Sequence, residues 1–297
     1  MNLSFLNFIF QPHSKQPKIN SFIYFALICL TSNFLGVQKP SFAIQEIRVN
    51  RWLEVRQMIG NVIYYQGSKS FAARLGTRLQ NVGDAIETGA KSSAVIAVDT
   101  EMGVINVSEK TTVRIQELHS TADGGRVTRL QVTGGQVRLR LLPFTNPGSQ
   151  LEIQTPAGVS AVRGTEFGVI VHPDGKTGVA TREGKVLTIS QGKGVLVGAG
   201  YSILMIPGQA PSAPVALTGD VGDASLKLQL LTTEANQMAR ITGKVEATNL
   251  VSIADTPVAT NLNGQFDVKV PIPFDRRIEA VVTTPLGKRQ VYELAVP

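Results

Sequence analysis

The 297-residue chain has one cysteine, Cys29, and it lies within the first 43 residues. A chain processed beyond that point has none, which excludes disulfides, thiolate catalysis and cysteine-ligated zinc. Histidine is almost as scarce. Outside the first 43 residues only His119 and His172 remain, and their separation suits no metal site. A Gly-x-Ser-x-Gly elbow, a His-Glu-x-x-His pair, a phosphate loop and an EF-hand loop are all missing. The glycine pairs Gly192/Gly194 and Gly198/Gly200 lie among strand-like runs, so no nucleotide fingerprint is expected. Concentrated positive charge is missing too. Residues 1–43 hold three of the 29 Lys+Arg and no acid, leaving 26 basic against 22 acidic residues, a net charge of +4. Nucleic-acid binding needs a denser basic stripe and is not expected.

What is present begins with a leader. Lys15 and Lys18 precede the apolar run Phe22–Leu30, and Ser41-Phe42-Ala43 places small residues at the −3 and −1 positions of a cleavage site. The run falls short of the ~20 residues of a membrane span. The expectation is a signal peptide cleaved after Ala43, a periplasmic or extracellular location, and no stable membrane span thereafter. An uncleaved anchor and lipidation at Cys29 are the alternatives.

From Val55 to Met205 short alternating runs are separated by Gly, Asp and Asn without a helical period, the pattern of an all-β domain. Val95–Val98 and Val104–Val107 flank a glycine-containing connection, and Pro173-Asp174-Gly175 turns the chain between two further runs. Within these turns Asp99, Glu101 and His172 are expected to be solvated. Asp99 and Glu101 as a glycosidase-type pair would have to flank a cleft. Pro207–Pro214 reads as an extended linker with nothing to bury. Beyond it come about seven short strands, including Leu226/Leu228/Leu230, Phe266/Val268/Val270 and Ile278/Ala280/Val282, with Asn263-Gly264 as a hairpin signal. That spacing suggests a small immunoglobulin-like sandwich. The expected organisation is therefore a leader (1–43), a β domain (44–206), a linker (207–222) and a sandwich (223–297).

One hairpin can be registered by hand. With Gly134-Gly135 as a two-residue turn, Val132 faces Val137 and Leu130 faces Leu139, so the apolar residues share one face. The other face then carries Arg138 with Gln131, and Arg129 directly opposite Arg140, a repulsion of a few tenths to about 1 kcal/mol. Either neighbouring acids such as Glu117 relieve a solvated face, or Arg129, Arg138 and Arg140 serve an anionic partner.

The segment Thr155-Pro156-Ala157-Gly158-Val159-Ser160-Ala161-Val162-Arg163-Gly164-Thr165-Glu166-Phe167 resembles the signature of FecR-type domains. Gly83-Asp84-Ala85-Ile86-Glu87-Thr88-Gly89 upstream and Val179–Val186 downstream are similar to further segments of that family, in the family's order. The likeness covers roughly residues 55–205. It implies an extracytoplasmic module that contacts a partner; the best-known members relay ferric-siderophore uptake to a cytoplasmic sigma factor. Those regulators carry a cytoplasmic anti-sigma segment and a transmembrane helix. Here a signal peptide is expected in that place, so the iron-signalling role is not expected to transfer. Within the motif, Arg163 either offers its fork to an anion or fixes a corner where Gly164 allows close backbone approach. Phe167 is expected in the core.

The residues thus predict an all-β chain without catalytic residues, cofactor or metal. A binding or sensing module of the cell envelope is expected, with an envelope protein or polysaccharide as partner. A cell-wall or exopolysaccharide-associated structural protein is the alternative.

Overall fold

Alternation of apolar and polar residues makes strands here because one face of each strand can be buried while the other meets water or a neighbour. The computed structural model describes residues 51–99 and 102–297. The leader, Cys29, the cleavage position after Ala43, and Thr100 and Glu101 lie outside the described residues.

The first strands are β1 (Leu53–Ile59), β2 (Val62–Gln66), β3 (Lys69–Ala72), β4 (Arg78–Leu79), β5 (Ala85–Thr88) and β6 (Ser93–Val98). Next come β7 (Gly103–Val107), β8 (Thr112–Ser120), β9 (Arg126–Val132), β10 (Gly135–Leu141), β11 (Gln150–Thr155) and β12 (Gly158–Val162). The larger body ends with β13 (Glu166–Val171), β14 (Thr177–Glu183), β15 (Lys185–Ser190), β16 (Lys193–Gly198), β17 (Tyr201–Met205) and β18 (Val215–Ala216). They form two nine-stranded sheets, ordered β18-β17-β14-β13-β10-β7-β6-β1-β4 and β16-β15-β12-β11-β9-β8-β5-β2-β3. The chain passes back and forth between the two sheets one or two strands at a time, and their inward residues meet in one core that includes Leu53, Ile96, Leu130, Leu139, Ile153 and Phe167.

Gly134-Gly135 does not make a hairpin. β9 pairs with β8 and β11 in the second sheet, whereas β10 pairs with β7 and β13 in the first. The turn is an arch that carries the chain across the core. Val132, Leu130, Val137 and Leu139 are all buried as expected, but they approach one another through the core from opposite sheets. Because β10 crosses away and β11 crosses back, β9 and β11 are parallel neighbours.

The C-terminal sandwich has the seven strands expected: β19 (Lys227–Glu234), β20 (Met238–Lys244), β21 (Leu250–Ile253), β22 (Thr256–Val258), β23 (Gln265–Pro271), β24 (Arg277–Thr283) and β25 (Arg289–Ala295). Three (β19-β20-β23) pack on four (β22-β21-β24-β25) around a second core of Ile241, Val251, Phe266, Ile278, Ala280 and Val282. Asn263-Gly264 is again not a hairpin, since β22 and β23 belong to different sheets. Leu228 and Leu230 are exposed; a bulge in β19 turns Leu231 toward the core instead.

Residues 207–222 are not a free linker. Ser212 donates its backbone N–H to the Leu204 carbonyl at 3.1 Å and accepts from the Leu204 N–H on its side chain at 3.2 Å. Val215–Ala216 pairs with β17, and the Leu217 N–H reaches the Gly200 carbonyl at 2.8 Å. Both sandwiches belong to one compact unit, Arg48–Pro297.

The outer face of the first sheet explains why. Every residue of β13 is buried, so this strand is covered on both sides. A Cβ at Gly168 would overlap the Pro285 carbonyl oxygen, and one at Gly178 would lie 2.5 Å from the Thr248 carbonyl oxygen. Neither glycine has a positive φ, so each is needed for close approach rather than for conformation. Two loops of the C-terminal sandwich rest there. Gln136 donates to the Pro285 carbonyl at 2.8 Å, and Leu286 and Ile170 are fully buried.

Candidate functional site

The motif Thr155–Phe167 builds a second crossing between sheets. Thr155 closes the β11–β12 turn by donating to the Gly158 carbonyl at 3.1 Å, and it accepts from the Thr177 hydroxyl at 3.0 Å. Pro156 sits exposed in that turn beside Gly175. Gly164 has φ +110°, and a side chain there would strike the Pro143 backbone. Arg163 donates through Nε to the Ser149 carbonyl at 3.2 Å while its own carbonyl accepts from Phe144 at 3.2 Å. Thr165 ties the corner to the start of β15 by donating to the Lys185 carbonyl at 3.2 Å. Phe167 then enters the core. Each of these residues shapes the corner.

The chemistry sits one position further out. Glu166, between Thr165 and Phe167, points away from the core and is only 5% exposed. Its carboxylate receives Arg138 through Nε at 3.0 Å and again through Nη2. Arg140 reaches it at 3.4 Å and Arg182 at 3.3 Å. Burial alone raises a carboxyl, but the hydrogen bonds and charges of Arg138 and then Arg140 outweigh it and hold Glu166 below the ordinary carboxylate value. Three guanidinium groups around one carboxylate leave a locally positive surface. Arg140 is 65% exposed, so part of that charge faces water.

Arg129 is not part of this surface. It lies on the second sheet, paired with Glu117 at 2.6 Å and Glu152 at 2.6 Å. The expected trio thus divides between the two outer faces, and Arg182 joins Arg138 and Arg140 instead. Alternation along β14 could have placed Arg182 outward. Its proximity to Arg138 required the sheet order, which the residues alone did not supply.

Two residues expected in water are buried. His172 is 1% exposed, with no hydrogen bond on either ring nitrogen among the described residues. Burial first, then the Lys176 ammonium, push it down to about 4. Lys176 is buried beside it, pairs with Asp174 at 3.2 Å and donates to the Thr260 carbonyl of the C-terminal sandwich. His172 and Lys176 are covered because the C-terminal sandwich docks against them, while Pro173 and Asp174 between them stay exposed. Asp99 is buried as well, bound to Arg51 Nη2 at 2.7 Å. Arg51 also donates to the His119 carbonyl and the Thr128 hydroxyl, each at 2.7 Å, so this ion pair joins the two sheets at one end of the core.

A cleft of about 490 Å³ lies where the two sandwiches meet. Ser212, Val215, Asp223, Lys227, Glu246 and Leu262 are among its lining residues. The Glu246 carboxyl is raised, chiefly by burial and further by the Asp223 charge, despite a hydrogen bond from Thr218.

These features define an all-β protein in which a two-sheet sandwich, cornered by a glycine-threonine motif, carries a second sandwich on one face. The model of the FecR protein family matches residues 84–187, from the start of β5 into β15. No curated protein matches the chain significantly. Among solved structures, two of a proposed anti-sigma factor from Parabacteroides distasonis ATCC 8503 align at 14% identity and a TM-score of 0.38. They cover 44% of this chain and 59% of their own, so the chain spans about three-fifths of their length. A polysaccharide lyase aligns at 9% identity and a TM-score of 0.20, over 83% of this chain and 40% of its own.

Proposed function

We propose that this is an exported, non-enzymatic binding or sensing module of the cell envelope, acting in the periplasm or outside the cell after cleavage following Ala43. The match to the FecR family over residues 84–187 is the observation that carries this reading. The motif residues are spent on the sheet-crossing corner, so the surfaces offered to a partner are the outer face of the second sheet and the part of the first that the C-terminal sandwich leaves uncovered. The charge around Arg138, Arg140 and Arg182 suits an anionic region of an envelope protein.

The test is crosslinking in the intact cell through a photoreactive residue at position 140, followed by identification of what is captured. A specific envelope protein, lost at high salt, supports the module. Exclusive attachment to purified envelope polysaccharide would move the chain to the structural class. N-terminal sequencing of the exported protein should begin at Ile44; a leader retained in the membrane fraction would rule out the proposed processing.

A further inference from the structure

A β-sandwich that leaves long strand edges open invites pairing with other chains, and proteins normally blunt such edges. The two large sheets have four edges, formed by β18, β4, β3 and β16. β18 and β4 are two residues each, too short to template a partner. β3 is four residues long and starts with Lys69. β16 differs. It runs for six residues, pairs with β15 without a register shift, and contains neither proline nor an acidic residue.

The surface next to that edge is apolar. Leu196 of β16 is 54% exposed and pairs across to Leu187, which pairs in turn with Ala161. Ile189, the next outward residue of β15, pairs with Val159. Together they make one continuous stripe on the outer face of the second sheet. Lys185 shares that face and Lys193 opens the edge strand; both are exposed, and among the described residues neither forms an ion pair.

We propose that β16 is a docking edge for an extended protein segment that adds a strand to the second sheet. Main-chain hydrogen bonds to the free edge supply affinity, and side-chain contacts supply selectivity. The occupant's chemistry follows from the surface. An apolar side chain rests on Leu196 beside Leu187, and acidic residues toward the ends of the segment meet the unpaired Lys185 and Lys193. A second copy of this chain fits less well, because each β16 brings Lys193 and no acid to the shared edge. The inference rests on reading the chain as a partner-contacting module and is independent of the arginine surface.

The probe is an unbiased library of displayed decapeptides, selected on the full exported chain alone and then tested on Leu196→Lys. Leu196 is mostly exposed, so this change should leave folding intact, which circular dichroism and thermal melting check. The expected winners are proline-free, apolar at the centre and flanked by Asp or Glu. They should bind Leu196→Lys at least about tenfold more weakly and Lys193→Glu roughly fivefold more weakly. On binding, the β16 amides should gain protection from hydrogen exchange. Three results overturn the proposal: winners without acids, winners that ignore Leu196→Lys, or a wild-type dimer in sedimentation that Leu196→Lys dissociates. If an envelope protein is still captured at position 140 by the Leu196→Lys chain, the module reading stands and this one falls.

Discussion

The two outer faces of the larger sandwich are treated in opposite ways. On the first sheet, Gly168, Ile170, Gly178 and Ala180 lie beneath the C-terminal sandwich, with glycine wherever a neighbouring carbonyl comes too close for a side chain. On the second sheet, Val159, Ala161, Leu187, Ile189 and Leu196 are larger, apolar and uncovered. Cover made by the same chain can demand exact fit, down to the absence of a Cβ. A face kept free for another molecule keeps its side chains, because they are what the other molecule touches.

The largest expected effect is at the covered face. Gly168→Val should push the Pro285 loop away and lower stability by roughly 3 kcal/mol, with the C-terminal sandwich melting apart from the larger sandwich in urea. Ala161→Val on the open face should stay within about 0.5 kcal/mol. Equal melting curves for the two variants would erase the contrast.

Acid should act on the covered face next. His172 is neutral in the fold with its pKa pushed from 6.5 to about 4, so between those values the unfolded chain binds the proton more readily. The contribution of His172 should therefore be flat above pH 6.5 and be lost as the pH drops to 4, a loss of about 3 kcal/mol, to which lowered carboxylates such as Glu166 add below the ordinary carboxylate range. Urea midpoints at pH 7, 5 and 4 measure this. His172→Leu should remove the fall in that window, since leucine carries no titrating group. Asp174 and Lys176 beside it keep their mutual ion pair in the variant.

The arginine surface at the border of the cover should respond less. Glu166→Gln removes the acceptor shared by Arg138, Arg140 and Arg182 and should cost about 2 kcal/mol at pH 7. That difference should shrink as the pH falls below the ordinary carboxylate value of 4.5, because a carboxyl lowered in the fold stabilises only while ionised. Arg140→Gln, at the exposed rim, should change stability by no more than about 0.5 kcal/mol. A larger loss there would mean that Arg140, and not Arg138, holds Glu166.

Much of this was readable in the residues, and the exceptions share a cause. Alternation correctly placed Leu130, Val132, Val137 and Leu139 inward, and the seven C-terminal strands were countable. Alternation says which face of a strand is buried but not whether the next strand lies beside it or across the core. Gly134-Gly135 and Asn263-Gly264 therefore carry the signal of a hairpin although both turns cross between sheets. Once β9 and β10 are separated, Arg129 leaves the trio. Cover by a distant segment is equally invisible locally. Pro173 and Asp174 do face water, but the flanking His172 and Lys176 are buried by Thr248 and Thr260 of the C-terminal sandwich. Mid-strand glycines were the available sign, since Gly168 and Gly178 interrupt the best strands of the domain.

The passage of the chain back and forth between the sheets has a consequence for how the molecule comes into being. Apart from exchanges at the starting end, position across each sheet follows position along the chain, from β1 and β2 to β17 and β16. Each new strand or strand pair can add to the last strand of its own sheet, so the two sheets can grow side by side as the chain is made. Such a body has a growing tip. In the first sheet that tip continues into β17 and β18 and runs on toward the C-terminal sandwich; in the second it stops at β16. The edge offered to a partner is the place the chain's own next hairpin would have occupied.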